Sequence, residues 1–280
     1  MRLSLAIATF NEEKFIHYPL DSAYDLADEV VIVDGGSTDR TVEVAKSYGK
    51  KVRIFHEDNP PMFHINKQKA IERARGEWIL QLDADEELSE ELKEEIKEIL
   101  TGDATGRAPD SAHSDVRRRS TGGRESRGRT RQNFVAYWLP RKNYFLGRFL
   151  TKGGAYPDYT IRLYHNGVAH FPCKTVHENV EVKGEIGFLQ SPILHYADPH
   201  FSRYIARWHR YNSLDADLLV KEGKKLSPIY YFIVKPIATF FSMYIRHKGF
   251  MDSWQGFIFA LFSSIRYGEI YTKVRRIYRK

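Results

Sequence analysis

The 280-residue chain, 42% hydrophobic, is long enough to bury a full core as one large domain or one domain with an appendage. Its single cysteine, Cys173, excludes an internal disulfide and suits a reducing compartment. The net charge of +7 is unevenly spread: residues 201–280 carry 15 Lys/Arg against 5 Asp/Glu and residues 101–131 carry 8 against 4, which leaves the remainder acidic. An acidic body with a basic, aromatic end argues against a general nucleic-acid binder and for a soluble catalytic domain whose C-terminal end meets an anionic surface.

Met1-Arg2 leads straight into an apolar run with no small-residue cleavage site, so no secretory leader is expected. The first hundred residues alternate strand and helix patterns. Leu3–Thr9 reads as a buried strand, residues 12–26 as a helix, and Glu29–Asp34 as a second strand ending in a carboxylate. Gly35-Gly36 makes a turn before a helix over 38–47; a strand over 51–56, a helix over 66–75 and a strand over 78–82 follow. This alternation predicts an α/β fold with a doubly wound, mostly parallel sheet. Ligands of such sheets bind beyond the carboxyl ends of the strands, where Asp34 and Asp83 fall.

Residues 101–131 are rich in Gly, Ser, Thr, Arg and Asp and nearly empty of large apolar side chains. They cannot offset their ordering entropy and read as a disordered insertion, with an RNA- or phosphate-binding arginine segment as the alternative. Strand patterns resume over 134–140, 159–164 and 193–196. The end of the chain is helical: residues 229–245 are apolar but interrupted by Lys235-Pro236, and residues 254–265 are apolar over only 12 positions. A spanning helix needs about 20 apolar residues, so these suit helices lying in a membrane interface, or helices packed on the body of the protein. The expected organisation is a catalytic domain over 1–200 and a basic aromatic helical, membrane-associating extension over 201–280.

Asp83-Ala84-Asp85 follows the apolar run ending at Leu82. Two carboxylates flanking a small residue suit a hard cation such as Mn²⁺ or Mg²⁺, with Ala84 leaving space for a ligand. The competing reading takes Asp83, Asp85, Glu86 and Glu87 as the acidic start of a helix over 89–100. At the earlier turn, Asp34 has the chemistry to accept hydrogen bonds from a base or ribose, while Ser37, Thr38 and Asp39 suit capping of the next helix.

Four segments in order carry a resemblance: residues 6–12 (Ala-Ile-Ala-Thr-Phe-Asn-Glu), the turn 33–39, residues 67–78 and residues 82–86. Together they resemble the nucleotide-binding half of the family 2 glycosyltransferases, which have the GT-A fold. The resemblance implies that Thr9, Asn11 and Glu12 line a nucleotide pocket and that Asp34 contacts the base. It implies that Lys67 lies near base or diphosphate, Asp83 near ribose or metal, and that Asp85 holds the metal. Family members often carry Asp-Asp-Gly-Ser at the turn; this chain has one Asp there, which loads Asp34 further.

The segments 158–164, 176–178 and 194–196, with the run from Lys235 to Phe257, resemble a branch that includes lipopolysaccharide-core glucosyltransferases. On that likeness Glu178 is the candidate base, with Asp158 second. Arg162 suits a diphosphate or acceptor phosphate, or a structural ion pair. His195 suits a metal shell or a phosphate, or a strand histidine satisfied by backbone. A zinc site from His165, His170, Cys173 and His177 has no compact zinc spacing.

The expectation is an inverting, metal-dependent transfer of a hexose from a UDP-linked donor to a lipid-linked or cell-envelope glycan. The enzyme would be cytoplasmic and peripheral on the inner membrane face. A nucleotidyltransferase would carry a Gly-rich basic loop after the first strand, where Thr9-Phe10-Asn11-Glu12 stands instead. A non-catalytic membrane-associated nucleotide-binding scaffold would not need the Asp83/Asp85 pair.

Overall fold

A computed structural model of the chain describes residues 1–102, 134–173, 179–224 and 226–278. The expected insertion lies outside these residues from position 103 onward, and so do His177 and Glu178.

The chain divides into two compact units, Met1–Arg141 with Tyr159–Leu194, and Lys142–Asp158 with His195–Lys280. This division differs from the expected boundary at 200.

In the first unit, strands β1 (Leu3–Thr9), β2 (Glu29–Asp34), β3 (Val52–His56) and β4 (Trp78–Asp83) alternate with helices α1 (His17–Ala23), α2 (Thr41–Ser47) and α3 (His64–Glu72). A short strand β5 (Glu86–Leu88) precedes α4 (Glu90–Thr101). Further on come β6 (Ala136–Phe145), β7 (Arg148–Phe149), β8 (Asp158–His165), β9 (Ala169–His170), β10 (Glu181–Val182), β11 (Ile186–Phe188) and β12 (Ile193–Asp198). The main sheet runs β3-β2-β1-β4-β8-β6-β12-β5. β1 pairs in parallel with β2 and β4, β2 in parallel with β3, and β8 runs antiparallel to β4.

Register follows from burial on both faces, as parallel sheets require. Leu3, Leu5 and Ile7 pack on one side with Leu20, Leu80 and Leu92, while Ala6 packs on the other with Ala70 and Ile79. Burying one such Leu or Ile stabilises by about 1.5–3 kcal/mol. A one-residue slip would move the whole row to the wrong face. The result sets Thr9 opposite Asp34 and Ala8 opposite Asp83, so three polar residues end level on neighbouring strands.

Helix α1 begins later than the pattern predicts because Pro19 is tolerated only in a first turn; residues 12–16 form a tight turn in which Ile16 N–H donates to the Glu12 carbonyl at 2.8 Å. Helix α4 starts after Ser89, whose Oγ accepts the Leu92 N–H at 3.2 Å. The acidic run after Asp83 therefore forms a turn and a strand, and only Glu90 and Glu91 serve as the helix's first-turn acids.

The second unit contains α5 (Phe201–Lys221), α6 (Lys235–Phe241) and α7 (Ser253–Ile277). Phe145, Leu150, Ala155 and Tyr204 form its core, joined by Phe259 and Phe262. Pro236 does not break the helix over 230–246. A π-helical turn, Tyr230–Val234, precedes it and a second, Ser242–Arg246, follows α6, so the proline sits in a first turn of regular helix. Helix α7 is 25 residues long, extending well past the apolar run into Arg266 and Glu269. Among the described residues no helix is long and apolar enough to cross a membrane.

Candidate active site

The carboxyl ends of β1 and β2 are laced together. Asn11, in the left-handed region at φ 55°, donates its N–H to Ser37 Oγ at 2.8 Å, and its Oδ1 accepts the Thr38 N–H at 2.8 Å. Glu12 N–H donates to Thr41 Oγ1 at 2.8 Å. Asp39 accepts the Thr41 N–H at 3.0 Å just before α2, while Ser37 and Thr38 serve the turn.

Asp34 is 1% exposed, and its carboxylate accepts from Gly36 N–H and Ser37 N–H at 3.1 Å and from Ser37 Oγ at 2.5 Å. It organises the turn from within. Gly36 takes φ 81°, and a Cβ on Gly35 would approach Asn59 Cβ to 3.2 Å and Asn66 Nδ2 to 3.4 Å. Thr9 Oγ1 and Asn66 Oδ1 are buried without a hydrogen-bond partner among the described residues. A buried polar atom left in that state is costly, so this turn is suited to receiving polar groups from a ligand. Asn66 was not among the residues singled out in the sequence; its place beside Gly35 depends on α3 folding back over the sheet.

A second cluster surrounds the end of β4. Lys67 Nζ, on α3, lies 2.5 Å from Asp83 Oδ1, and Arg162 on β8 donates to Asp83 Oδ2 at 2.6 Å and to Glu86 Oε1 at 2.7 Å. Arg162 also donates to Gln81, and Arg141 reaches Glu86 at 3.2 Å. Glu86, fully buried, accepts the Asp83 N–H at 2.9 Å and so clamps the acidic turn. Burial pushes the Lys67 ammonium below its ordinary range against the pull of Asp83. Burial would raise the Asp83 carboxyl, but the charges of Arg162 and Lys67 outweigh it and hold the group well below the usual carboxylate range. Arg162, at 4% exposed, has the buried ion-pair geometry that was one of its two readings. The Ala84 methyl is buried in the main core beneath the turn.

In the second unit, Asn143 joins two of the predicted residues. Its Nδ2 donates to Asp158 Oδ2 at 3.2 Å, and its Oδ1 lies 2.6 Å from His195 Nδ1. A carbonyl oxygen only accepts, so this contact calls for a ring proton on Nδ1. Of the zinc candidates, the His165 ring lies tilted against Trp78 at 3.8 Å between centroids and His170 Nε2 lies 3.2 Å from Glu181.

Among the described residues no three His, Cys, Asp or Glu side chains converge as a metal-binding group. Both oxygens of Asp83 are engaged by cations, and Asp83 and Asp85 are the two carboxylates that a divalent ion near the turn would meet. Hard oxygen donors of this kind suit Mg²⁺ or Mn²⁺ held by one or two carboxylates and completed by phosphates and water. The residues fit a shared ion and not a closed protein cage.

The family model Glycosyl transferase family 2 matches residues 4–169. The chain is 28% identical to an uncharacterized glycosyltransferase of Rickettsia bellii (strain RML369-C), over 92% of this chain and 80% of that protein. It is 26% identical to the lipopolysaccharide core biosynthesis glycosyltransferase LpsC of Rhizobium meliloti (strain 1021), over 94% of this chain and 91% of that protein. Among solved structures, the mannosyltransferase PcManGT from Pyrobaculum calidifontis, in complex with GDP-Man and Mn²⁺, covers 98% of this chain and 75% of its own, with a TM-score of 0.48 and 13% identity.

Proposed function

The chain belongs to glycosyl transferase family 2 and is a glycosyltransferase with the GT-A fold, and from that premise we propose that it moves a hexose, with inversion, from a UDP-linked donor to a lipid-linked or cell-envelope glycan. The observation that carries the proposal is the level ending of β1, β2 and β4, which groups Thr9, Asp34 and Asp83 on adjacent strands with Lys67 against Asp83. The similarity to LpsC supports the cell-envelope acceptor. We place the enzyme in the cytoplasm, peripheral on the inner face of the membrane.

In this reading the nucleoside lies over the β1 and β2 ends, where Thr9 and the Asn11–Glu12 backbone flank the turn organised by Asp34. Asp83, held between Lys67 and Arg162, faces the ribose or the metal; Arg162 acts by positioning that carboxylate. A divalent ion held by Asp85 would supply charge neutralisation to the departing diphosphate. His195, oriented by Asn143, is assigned by the resemblance to the metal shell or to a phosphate. Glu178 takes the acceptor hydroxyl proton as that oxygen bonds to the anomeric carbon and the bond to the diphosphate breaks; Asp158 is the alternative base.

Thermal-shift measurements with nucleoside diphosphates and nucleotide sugars in Mn²⁺ test the donor class. UDP and a UDP-hexose are expected to raise the melting temperature above other nucleotides. Stabilisation by none of them would overturn the proposal, and stabilisation by another base would replace UDP. Donor hydrolysis that survives EDTA or Asp85→Ala would remove the metal role. Glu178→Gln should abolish transfer with donor binding intact; unchanged turnover would pass the base role to Asp158.

A further inference from the structure

The continuous helical segment over 229–246 buries one side and exposes large apolar side chains on the other. Tyr231 is buried against Tyr267 and Tyr271, and Phe240 and Tyr244 pack on Phe257 of α7. On the outer side, Ile233, Ile237, Phe241 and Ile245 recur every fourth residue, each from 52% to 59% exposed. Four-residue spacing keeps a stripe on one face where π-helical turns wind extra residues into the helix. The bend that follows adds Met251 at 53% and Trp254 at 56% exposed, and the Phe250 ring lies 6.2 Å from Tyr244, alongside the stripe. Isolated exposed apolar side chains are ordinary, but a contiguous row is the mark of an interaction surface.

The charge around the row identifies its partner. Residues 223–268 contain six Lys/Arg and a single acidic residue, Asp252. Asp252 is 1% exposed and spent inside the unit, where it accepts from Thr151 N–H at 2.9 Å and Lys152 N–H at 2.7 Å. No carboxylate of this 46-residue stretch therefore faces solvent, while Arg246 and Lys248 are exposed at the bend. A self-complementary contact between two copies would set these cations against each other with no acid from the stretch to offset them. A bilayer with anionic headgroups satisfies both components: acyl chains take the apolar row and phosphates take the cations.

We propose that the outer face of the 229–254 helix and bend is a docking surface that lies in one leaflet of an anionic membrane, with the Ile233–Ile245 stripe and Trp254 at the acyl boundary and Arg246 and Lys248 at the headgroups. The helix lies in the interfacial plane, because no described helix is long and apolar enough to span. This deepens the proposed function, which places the acceptor at a membrane, but it rests on the surface and charge of this unit alone.

The test is flotation of the full chain, without donor, on vesicles of phosphatidylethanolamine with phosphatidylglycerol and on vesicles of phosphatidylcholine. Binding is expected on the anionic vesicles, at least tenfold weaker on phosphatidylcholine. The triple variant Ile237→Ser, Phe241→Ser, Ile245→Ser should lose at least tenfold, with circular dichroism and melting temperature kept because the side chains are exposed. Arg246→Ser with Lys248→Ser should reduce both binding and its salt dependence. Brominated acyl chains should quench fluorescence that Trp254→Phe removes. No flotation, equal binding to both vesicles, or binding untouched by the triple variant overturns the proposal. So does a dimer, seen by light scattering, that the triple variant splits. Stabilisation by nucleotides is read separately on the same variants, so a failed donor assignment and a failed docking surface remain distinct.

Discussion

Lys67 Nζ stands 2.5 Å from Asp83 Oδ1, although the two residues lie on different elements, α3 and the end of β4. Arg162 holds the other oxygen of the same carboxylate at 2.6 Å. Asp83 is thus fixed between two cations, and its depressed pKa keeps it charged at neutral pH. The two cations differ in what else they support: Arg162 also bonds Glu86 and Gln81, whereas Lys67 presents a compact ammonium near Phe63, 5.0 Å from its ring centre.

Lys67→Met is therefore expected to separate binding from folding. Asp83 keeps Arg162, so urea denaturation should change by about 1.5–3 kcal/mol, the scale of one charged hydrogen bond. Affinity for a nucleoside diphosphate should fall by about tenfold or more, or about 1.4 kcal/mol, measured by calorimetry. Unchanged affinity would remove Lys67 from the proposed donor site.

Arg162→Met is expected to behave in the opposite way. It takes from the fully buried Glu86 its nearer cation, leaving Arg141 at 3.2 Å, and removes half of the Asp83 pairing. Breaking a buried pair by removing one partner costs about 3–5 kcal/mol, which urea denaturation would read as a large fall in midpoint. Arg162→Lys should recover only part of it, since an ammonium cannot reproduce the planar fork that reaches Asp83, Glu86 and Gln81 together.

Asn143→Ala tests the histidine in the second unit. Without Oδ1, the His195 ring loses the contact that holds its proton on Nδ1. Losing a partner that orients a ligating histidine typically lowers metal affinity or activity by about 10–100-fold. The expected signature is a fall of that size in turnover with donor affinity unchanged, because Asn143 is assigned no contact with the nucleoside.

Much of the nucleotide half is legible in the sequence because burial on both faces leaves little freedom. The largely apolar stretches at Leu3–Thr9 and Glu29–Asp34 become β1 and β2 at those bounds, and the strand ends deliver Thr9, Asp34 and Asp83 to one edge. Residues whose partners lie far away in the chain were not legible. Glu86 reads as helix-start acidity until β8 brings Arg162 across 76 positions to meet it. Asn143 is an unremarked polar residue in a strand until His195 arrives from 52 positions away. The candidate base Glu178 lies outside the described residues, so its role rests on the sequence resemblance alone.

Glu29 provides a test of how the sheet is pinned at its other end. It is 3% exposed and accepts from Ser4 Oγ at 2.7 Å, Arg53 at 2.6 Å and Arg75 N–H at 2.6 Å, so it ties β1, β2, β3 and the loop before β4 together. Burial alone would raise its pKa, but these hydrogen bonds and the Arg53 charge together hold it below the ordinary value. A carboxyl depressed in the native state stabilises in full above its unfolded pKa, about 4.3. Below that, the unfolded chain takes up the proton first, and the contribution fades until pH falls through the lower native value. Glu29→Gln should therefore destabilise the protein at pH 7 by about 2–3 kcal/mol, the range for hydrogen bonds to a charged group. The difference between variant and parent should shrink as urea denaturation is repeated from pH 5 to pH 3. A difference that stays constant over that range would mean that Glu29 contributes through shape and not through charge.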